Sequence, residues 1–168
     1  MLYLPFFANG MESFIDQKTE IQIEPFKGGR VLPQMLGYSA VVMSGEREER
    51  ITIGLHLTKL PMNGFDLQSI NTEIQALIES KKKWLATKEN SGEFNFIGKN
   101  ITTNSKDIHF VKMSYLLDGS KTFEKTYFIN CADKMMKIKA MVPLKNRDQD
   151  KVEKDIDVMV RSIRCTLK

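Results

Sequence analysis

The sequence predicts an α+β fold in which a twisted antiparallel sheet is flanked by helices, and three observations lead to this prediction. Several segments alternate apolar and polar residues, as strands with one buried face do. Two segments instead repeat apolar residues at helical spacing. The strand-like and helical segments are grouped along the chain rather than alternating one by one, which is typical of helices packed on an antiparallel sheet.

The length and composition indicate one globular domain. A chain of 168 residues with 42% apolar and 27% charged side chains can bury a sizeable core, and it is neither disordered nor disulfide-dense. We place the domain at residues 21–168 and expect residues 1–20 to be an N-terminal arm or a signal-peptide remnant. The net charge of +4 is too small to indicate a nucleic-acid partner. No apolar stretch approaches the roughly 20 residues of a membrane span, so we expect any membrane contact to be peripheral.

The first half of the domain contains a short strand, a hairpin and a long helix. Ile21–Ile23 alternates and is followed by a proline, which favours an edge strand. Alternation over residues 36–43 and again over 51–58, around a charged connection, predicts a hairpin. An aspartate suited to capping a helix precedes apolar residues at helical spacing, so we predict an amphipathic helix over residues 66–87.

The second half contains four more strands and a closing helix. The strands are predicted over 94–103, 108–117 and 122–131, with a fourth ending at Pro143. An Asp-Gly pair at residues 118–119 is a strong hairpin signal between the second and third of these strands. If residue 118 pairs with residue 122, then residue 109 faces residue 131. Acidic residues near its start and basic residues near its end complement the helix dipole, so we predict a last helix over about 149–164.

That register makes His109 and Cys131 cross-strand neighbours. A cysteine beside a histidine can form a thiolate nucleophile, so the pair is a candidate for catalysis. The alternative is a small buried thiol beside a structural histidine, and no third member or oxyanion site is visible in the sequence. We therefore assign no catalytic residue. The chain has only two histidines and no zinc-like cysteine spacing, so we predict neither a metal site nor a cofactor.

A basic run near the end of the first predicted helix is the candidate binding site. It comprises Lys81, Lys82 and Lys83, followed by Trp84. The structural interpretation is a solvated helix end, where cations complement the negative end of the helix dipole. The functional interpretation is a docking patch for an acidic partner or an anionic membrane surface, with tryptophan as the interface anchor.

The redox state of the two cysteines, Cys131 and Cys165, would indicate the cellular compartment of the protein. They form either a disulfide in an oxidising compartment or two buried thiols in a reducing one. Residues 1–10 are apolar and end in small residues, like the last third of a signal peptide, although they lack the basic start of one. The alternative is an apolar arm that packs on the fold.

The order of elements, and the segment Lys121–Ile129 followed by a strand and the final helix, resemble the PsbP-like superfamily over about residues 21–165. That superfamily includes the PsbP extrinsic subunit of photosystem II, the Ran-binding Mog protein and bacterial envelope proteins of the DcrB type. The resemblance implies an α-β-α sandwich that binds other proteins and usually has no active site. It carries over no functional residue. A helix-grip fold with a ligand cavity is the alternative architecture.

We therefore predict a non-enzymatic protein-binding or accessory module of a bacterial cell envelope, either periplasmic or secreted. One alternative is a small-molecule-binding protein or small enzyme with a cavity between the helix at 66–87 and the sheet. Another is a cytoplasmic adaptor with reduced thiols.

Overall fold

The computed structural model describes residues 14–16, 21–35, 37–44, 50–61, 67–88, 92–102, 108–117, 119–131, 134–144 and 148–165. The elements in chain order are β1 (Phe14–Asp16), β2 (Ile21–Ile23), β3 (Arg30–Pro33), β4 (Ala40–Ser44), β5 (Ile51–Pro61), α1 (Leu67–Leu85), β6 (Gly92–Thr102), β7 (Ile108–Leu117), β8 (Ser120–Cys131), β9 (Lys134–Pro143), α2 (Gln149–Ser162) and β10 (Arg164–Cys165).

Seven strands form one antiparallel sheet in the order β3-β4-β5-β9-β8-β7-β6, and β1, β2 and β10 form a second, small sheet. The predicted α+β class is confirmed. Both helices lie within about two residues of their predicted bounds. They pack on opposite faces of the large sheet, since α1 contacts Phe128 whereas α2 belongs to the core that contains Tyr127.

Strand β8 is the centre of the sandwich because residues 122–129 are buried on both faces. On one face, Ile70, Ile74 and Ile78 of α1 pack against the sheet. On the other face, α2 contributes Ile156 and Met159 to a larger core that also includes β2. Each such buried side chain stabilises the fold by roughly 1.5–3 kcal/mol.

Several strand predictions need correction, and β1 and β10, which pair with β2, were not predicted. The strand predicted over 36–43 begins at Ala40, because Gly37 has a φ of 79° and the next two residues lie in a bend. Leu36 lies outside the described residues. Strand β3 was not predicted, and it pairs with β4 to form a hairpin. Its apolar stretch is too short to show an alternation by itself.

The predicted register between β7 and β8 is also wrong. Leu117 pairs with Ser120, so only two residues separate the strands, as is usual for an Asp-Gly turn. Gly119 has a φ of 74°, which glycine adopts without strain. The register differs from the predicted one by three residues, and an odd shift moves side chains to the opposite face. His109 therefore lies opposite Phe128 rather than Cys131.

Candidate functional site

The last turns of α1 carry a lysine that points into the protein. Lys81 is buried, and its Nζ lies 2.8 Å from Oε2 of Glu124 and 3.4 Å from the hydroxyl oxygen of Tyr115. Helical spacing explains its position, because Lys81 follows Ile78 by three residues and precedes Leu85 by four. Lys81 therefore belongs to the buried stripe of α1, whereas Lys82 and Lys83 are exposed.

Glu124 on β8 is the partner that makes this burial tolerable. Its side chain is 1% exposed, accepts a 2.9 Å hydrogen bond from the Tyr115 hydroxyl, and lies 3.3 Å from Nζ of Lys139 on β9. Burial lowers the pKa of Lys81 because it disfavours the charged form, and the Glu124 carboxylate opposes that effect. Burial and the same carboxylate raise the pKa of Tyr115.

Trp84 is held in place and remains 37% exposed. Its ring centroid lies 4.5 Å from Nζ of Lys81 and 5.4 Å from Nζ of Lys88, and its ring meets that of Tyr115 nearly edge-on at 6.3 Å. Cation–π and edge-to-face contacts of this kind favour a defined ring orientation.

The four residues that the sequence predicts as a binding site are consecutive on α1; Lys81 is buried, the other three are exposed, and their role in binding stays a prediction. We define the Trp84 surface as Trp84 with Lys81, Lys82, Lys83 and Lys88 at the same end of α1, together with Lys139, which Glu124 joins to Lys81. Lys82 also pairs with Glu79 at 3.3 Å, an exposed ion pair worth little energetically. Three residues that support the surface were missed, because Tyr115, Glu124 and Lys139 are distant in sequence from α1.

A second charged cluster lies on the opposite face of β8. Lys125, 1% exposed, has its Nζ 2.7 Å from Oε1 of Glu153 and 2.6 Å from Oδ1 of Asp157, both on α2. The Tyr127 hydroxyl donates a 2.5 Å hydrogen bond to Asp157, and Lys112 also pairs with Glu153. We call these five residues the Lys125 cluster. Burial and Asp157 raise the pKa of Tyr127. The cluster joins α2 to the sheet through balanced charges.

The structure does not bring the catalytic candidates together. His109 is buried on the α1 side, whereas Cys131 lies on the α2 side and forms a disulfide with Cys165. A thiol in a disulfide cannot act as a thiolate nucleophile. Within the described ranges, no group of three or more His, Cys, Asp or Glu residues could hold a metal ion.

Two pockets that described residues line lie beside α2. One has a volume of 410 Å³ and lies between Phe26 and the first turns of α2, and a second of 380 Å³ follows the helix past Val158. The apolar stripe of α1 packs against the sheet, and the alternative hypothesis of a cavity between the helix at 66–87 and the sheet stays a prediction. In the part of the chain that the structure covers, no helix is long and apolar enough to cross a membrane.

Comparison with known proteins bears on the fold. No protein-family model and no curated protein matches the chain. Among solved structures, the cyanobacterial PsbP (CyanoP) of Synechocystis is similar with a TM-score of 0.68 and 10% identity over 99% of both chains. LpqN of Mycobacterium tuberculosis, involved in cell envelope biogenesis, gives a TM-score of 0.54 at 12% identity over 88% of this chain and 83% of its own. The Ran-binding protein Mog1p of Saccharomyces cerevisiae gives 0.55 at 11% identity over 93% and 96%.

These similarities confirm the PsbP-like α+β sandwich that the order of elements implied. At 10–12% identity they establish the fold alone.

Proposed function

We propose that this chain is a non-enzymatic binding module of the bacterial cell envelope and that it engages a protein partner through the Trp84 surface. The observation that carries the proposal is the exposed Trp84 ring, held by Lys81 and Tyr115 at the end of α1.

This geometry has the features of an interaction hot spot. Tryptophan is enriched at the residues that dominate binding energy, and lysines at the rim supply charge contacts. A ring that is already oriented loses little conformational freedom when a partner contacts it, so more of the contact energy contributes to affinity.

A non-enzymatic role is supported by how the buried ionisable groups are used. Glu124 binds Lys81 and Lys139, and Lys125 binds Glu153 and Asp157. In both clusters the side chains contact each other and connect a helix to the sheet. This arrangement favours a structural role for these groups over catalysis.

Export is supported by the disulfide between Cys131 and Cys165, because disulfides persist in oxidising compartments. The role of the similarly folded LpqN in envelope biogenesis and the Ran-binding description of Mog1p favour, by analogy, an envelope setting and a protein partner.

Intact mass tests the export part of the proposal. We expect protein isolated from its native cell to lack the apolar residues at 1–10 and to take up an alkylating reagent at its cysteines only after reduction. A mass that begins at Met1 with two alkylated thiols before reduction would contradict export and favour the cytoplasmic alternative.

Photo-crosslinking in the native cell tests the binding part. A photoreactive amino acid replaces Lys83 in one strain and Lys154, exposed on α2, in a matched control. We expect a discrete crosslinked protein from position 83 that disappears when Trp84→Ala is added, and none from position 154. No crosslink from position 83, or the same crosslinks from both positions, would contradict the proposal.

A further inference from the structure

We infer that the partner segment that binds the Trp84 surface is acidic, with carboxylates directed at the lysines and an apolar side chain placed on Trp84. This inference rests on the proposed function and names the chemistry of the partner.

The first argument is the local excess of positive charge. Lys81, Lys82, Lys83 and Lys139 give this surface four positive charges, and the carboxylates that lie against them are those of Glu79 and Glu124. The balance of these six groups is +2. A surface with an excess of positive charge attracts an oppositely charged partner and increases its association rate.

The second argument is that two lysines share the single carboxylate of Glu124. Its Oε2 receives Lys81 and Tyr115, and its Oε1 faces Lys139. One carboxylate thus serves two ammonium groups, which leaves one positive charge uncompensated beside the Trp84 ring. Lys139 is 29% exposed, so a carboxylate from outside can reach this point.

The third argument is the mixture of charge and aromatic surface. Lys83 is exposed one residue before Trp84, and Lys88 lies against the same ring. A purely polar acidic segment would leave the exposed part of Trp84 in water. An acidic segment interrupted by one apolar residue would satisfy the lysines and bury the ring together, which combines a charged rim with an apolar centre.

The test uses a fluorescein-labelled peptide of glutamates and aspartates with one central leucine, titrated with the intact oxidised protein. A matched peptide has glutamine and asparagine in place of the acids. We expect binding of the acidic peptide alone, and this binding should weaken as salt screens the exposed charges. Equal binding of the two peptides would overturn the inference.

Two charge reversals of equal size locate the binding. Lys83→Glu lies on the Trp84 surface, and Lys154→Glu lies on the exposed side of α2. We expect the affinity for the acidic peptide to fall about tenfold in K83E and to change less than about twofold in K154E. An equal loss in both variants would indicate a general effect of net charge and would contradict the inference.

The same protein is also tested for binding to vesicles containing phosphatidylglycerol. Vesicle binding without peptide binding would overturn the inference in favour of an anionic lipid surface.

If position 83 crosslinks a protein in cells but the acidic peptide does not bind, the acidic chemistry is wrong and the binding function stands. If both experiments fail, the proposed function fails as well.

Discussion

Glu124 and Lys125 are adjacent in β8 and both are 1% exposed, yet the two faces of the strand surround them differently. On the α2 side, two lysines face two carboxylates, and a disulfide and the larger core lie in the same layer. On the α1 side, Lys137 pairs with Glu73 of α1, whereas the Glu124 carboxylate is shared by Lys81 and Lys139, and the exposed Trp84 ring lies beside Lys81.

The comparison distinguishes a structural face of β8 from a face that we propose for binding. The two lysines and two carboxylates of the Lys125 cluster pair with one another and leave little net electrostatic attraction for a partner, so the cluster orients α2 on the sheet. An excess of cations beside an exposed aromatic ring favours attraction of an oppositely charged partner. We therefore propose a structural role for the α2 side of β8 and a recognition role for the α1 side.

The largest expected effect is the loss of the disulfide, which links β8 to β10 in the layer of α2. Replacing both Cys131 and Cys165 with serine should lower the free energy of unfolding by about 3–4 kcal/mol in the chain-entropy model for a separation of 34 residues. Denaturant unfolding measures the change. Amide hydrogen exchange should show protection lost in both helices, with an additional loss from local opening at β10 and the end of α2; no additional loss there would contradict a local role of the disulfide.

Removal of the buried cation of the Lys125 cluster should have the next largest effect. Lys125→Met should lower the free energy of unfolding by about 3 kcal/mol, because it leaves Glu153 and Asp157 facing an apolar side chain. Denaturant unfolding at neutral pH measures this loss. A loss of about 1 kcal/mol or less, similar to that of an exposed ion pair, would contradict the role of Lys125 as the buried centre of the cluster.

On the α1 side, Glu124→Gln should cost less, about 1–2 kcal/mol, because the long stems of Lys81 and Lys139 allow their ammonium groups to reach water. Trp84 is the only tryptophan of the chain, so its fluorescence reports directly on the surface. We expect faster ring motion and easier quenching in E124Q. The matched control Lys139→Met keeps the contact of Lys81 with Glu124 and should leave the fluorescence unchanged; an equal change in both variants would contradict a positioning role for Glu124.

The smallest effect concerns alkaline pH. The pKa values of Tyr115 and Tyr127 are raised above the ordinary value of 10.0, so the unfolded chain releases these protons first as pH rises. Their contribution to stability is therefore complete below pH 10.0 and is lost above it. The lowered pKa of Lys81 acts in the opposite direction, below its ordinary value of 10.5.

Tyr115→Phe and Tyr127→Phe should each flatten the alkaline fall in unfolding free energy, by about 1.4 kcal/mol per pH unit above pH 10. Denaturant unfolding at a series of alkaline pH values provides the measurement. Because both phenols are buried beside a carboxylate, the two variants should behave alike. A fall as steep as that of the wild type in either variant would show that its phenol titrates in the folded protein.

Much of this fold could be predicted from the regular spacing of apolar residues in the sequence. The parts that could not be predicted depend on contacts between residues that are distant in the sequence. The apolar stripe of α1 predicts its buried face, and the same spacing places Lys81 on that stripe. The preference of an Asp-Gly pair for a two-residue turn would have predicted the observed pairing of Leu117 with Ser120 and separated His109 from Cys131.

The supporting residues of the Trp84 surface could not be found in this way. Glu124 and Lys139 meet Lys81 only because β8 and β9 pair beneath α1. No local pattern encodes that meeting. An isolated acidic residue in a strand predicts a solvated side chain as readily as a buried one.

The most direct test of this division between a structural and a binding face of β8 is amide hydrogen exchange of the intact oxidised protein with and without the acidic peptide. We predict added protection at the end of α1 and in β9 around Lys139, with α2 and its flanking groove unchanged. Protection along α2, or no change at saturating peptide, would contradict the assignment of recognition to the α1 side of β8.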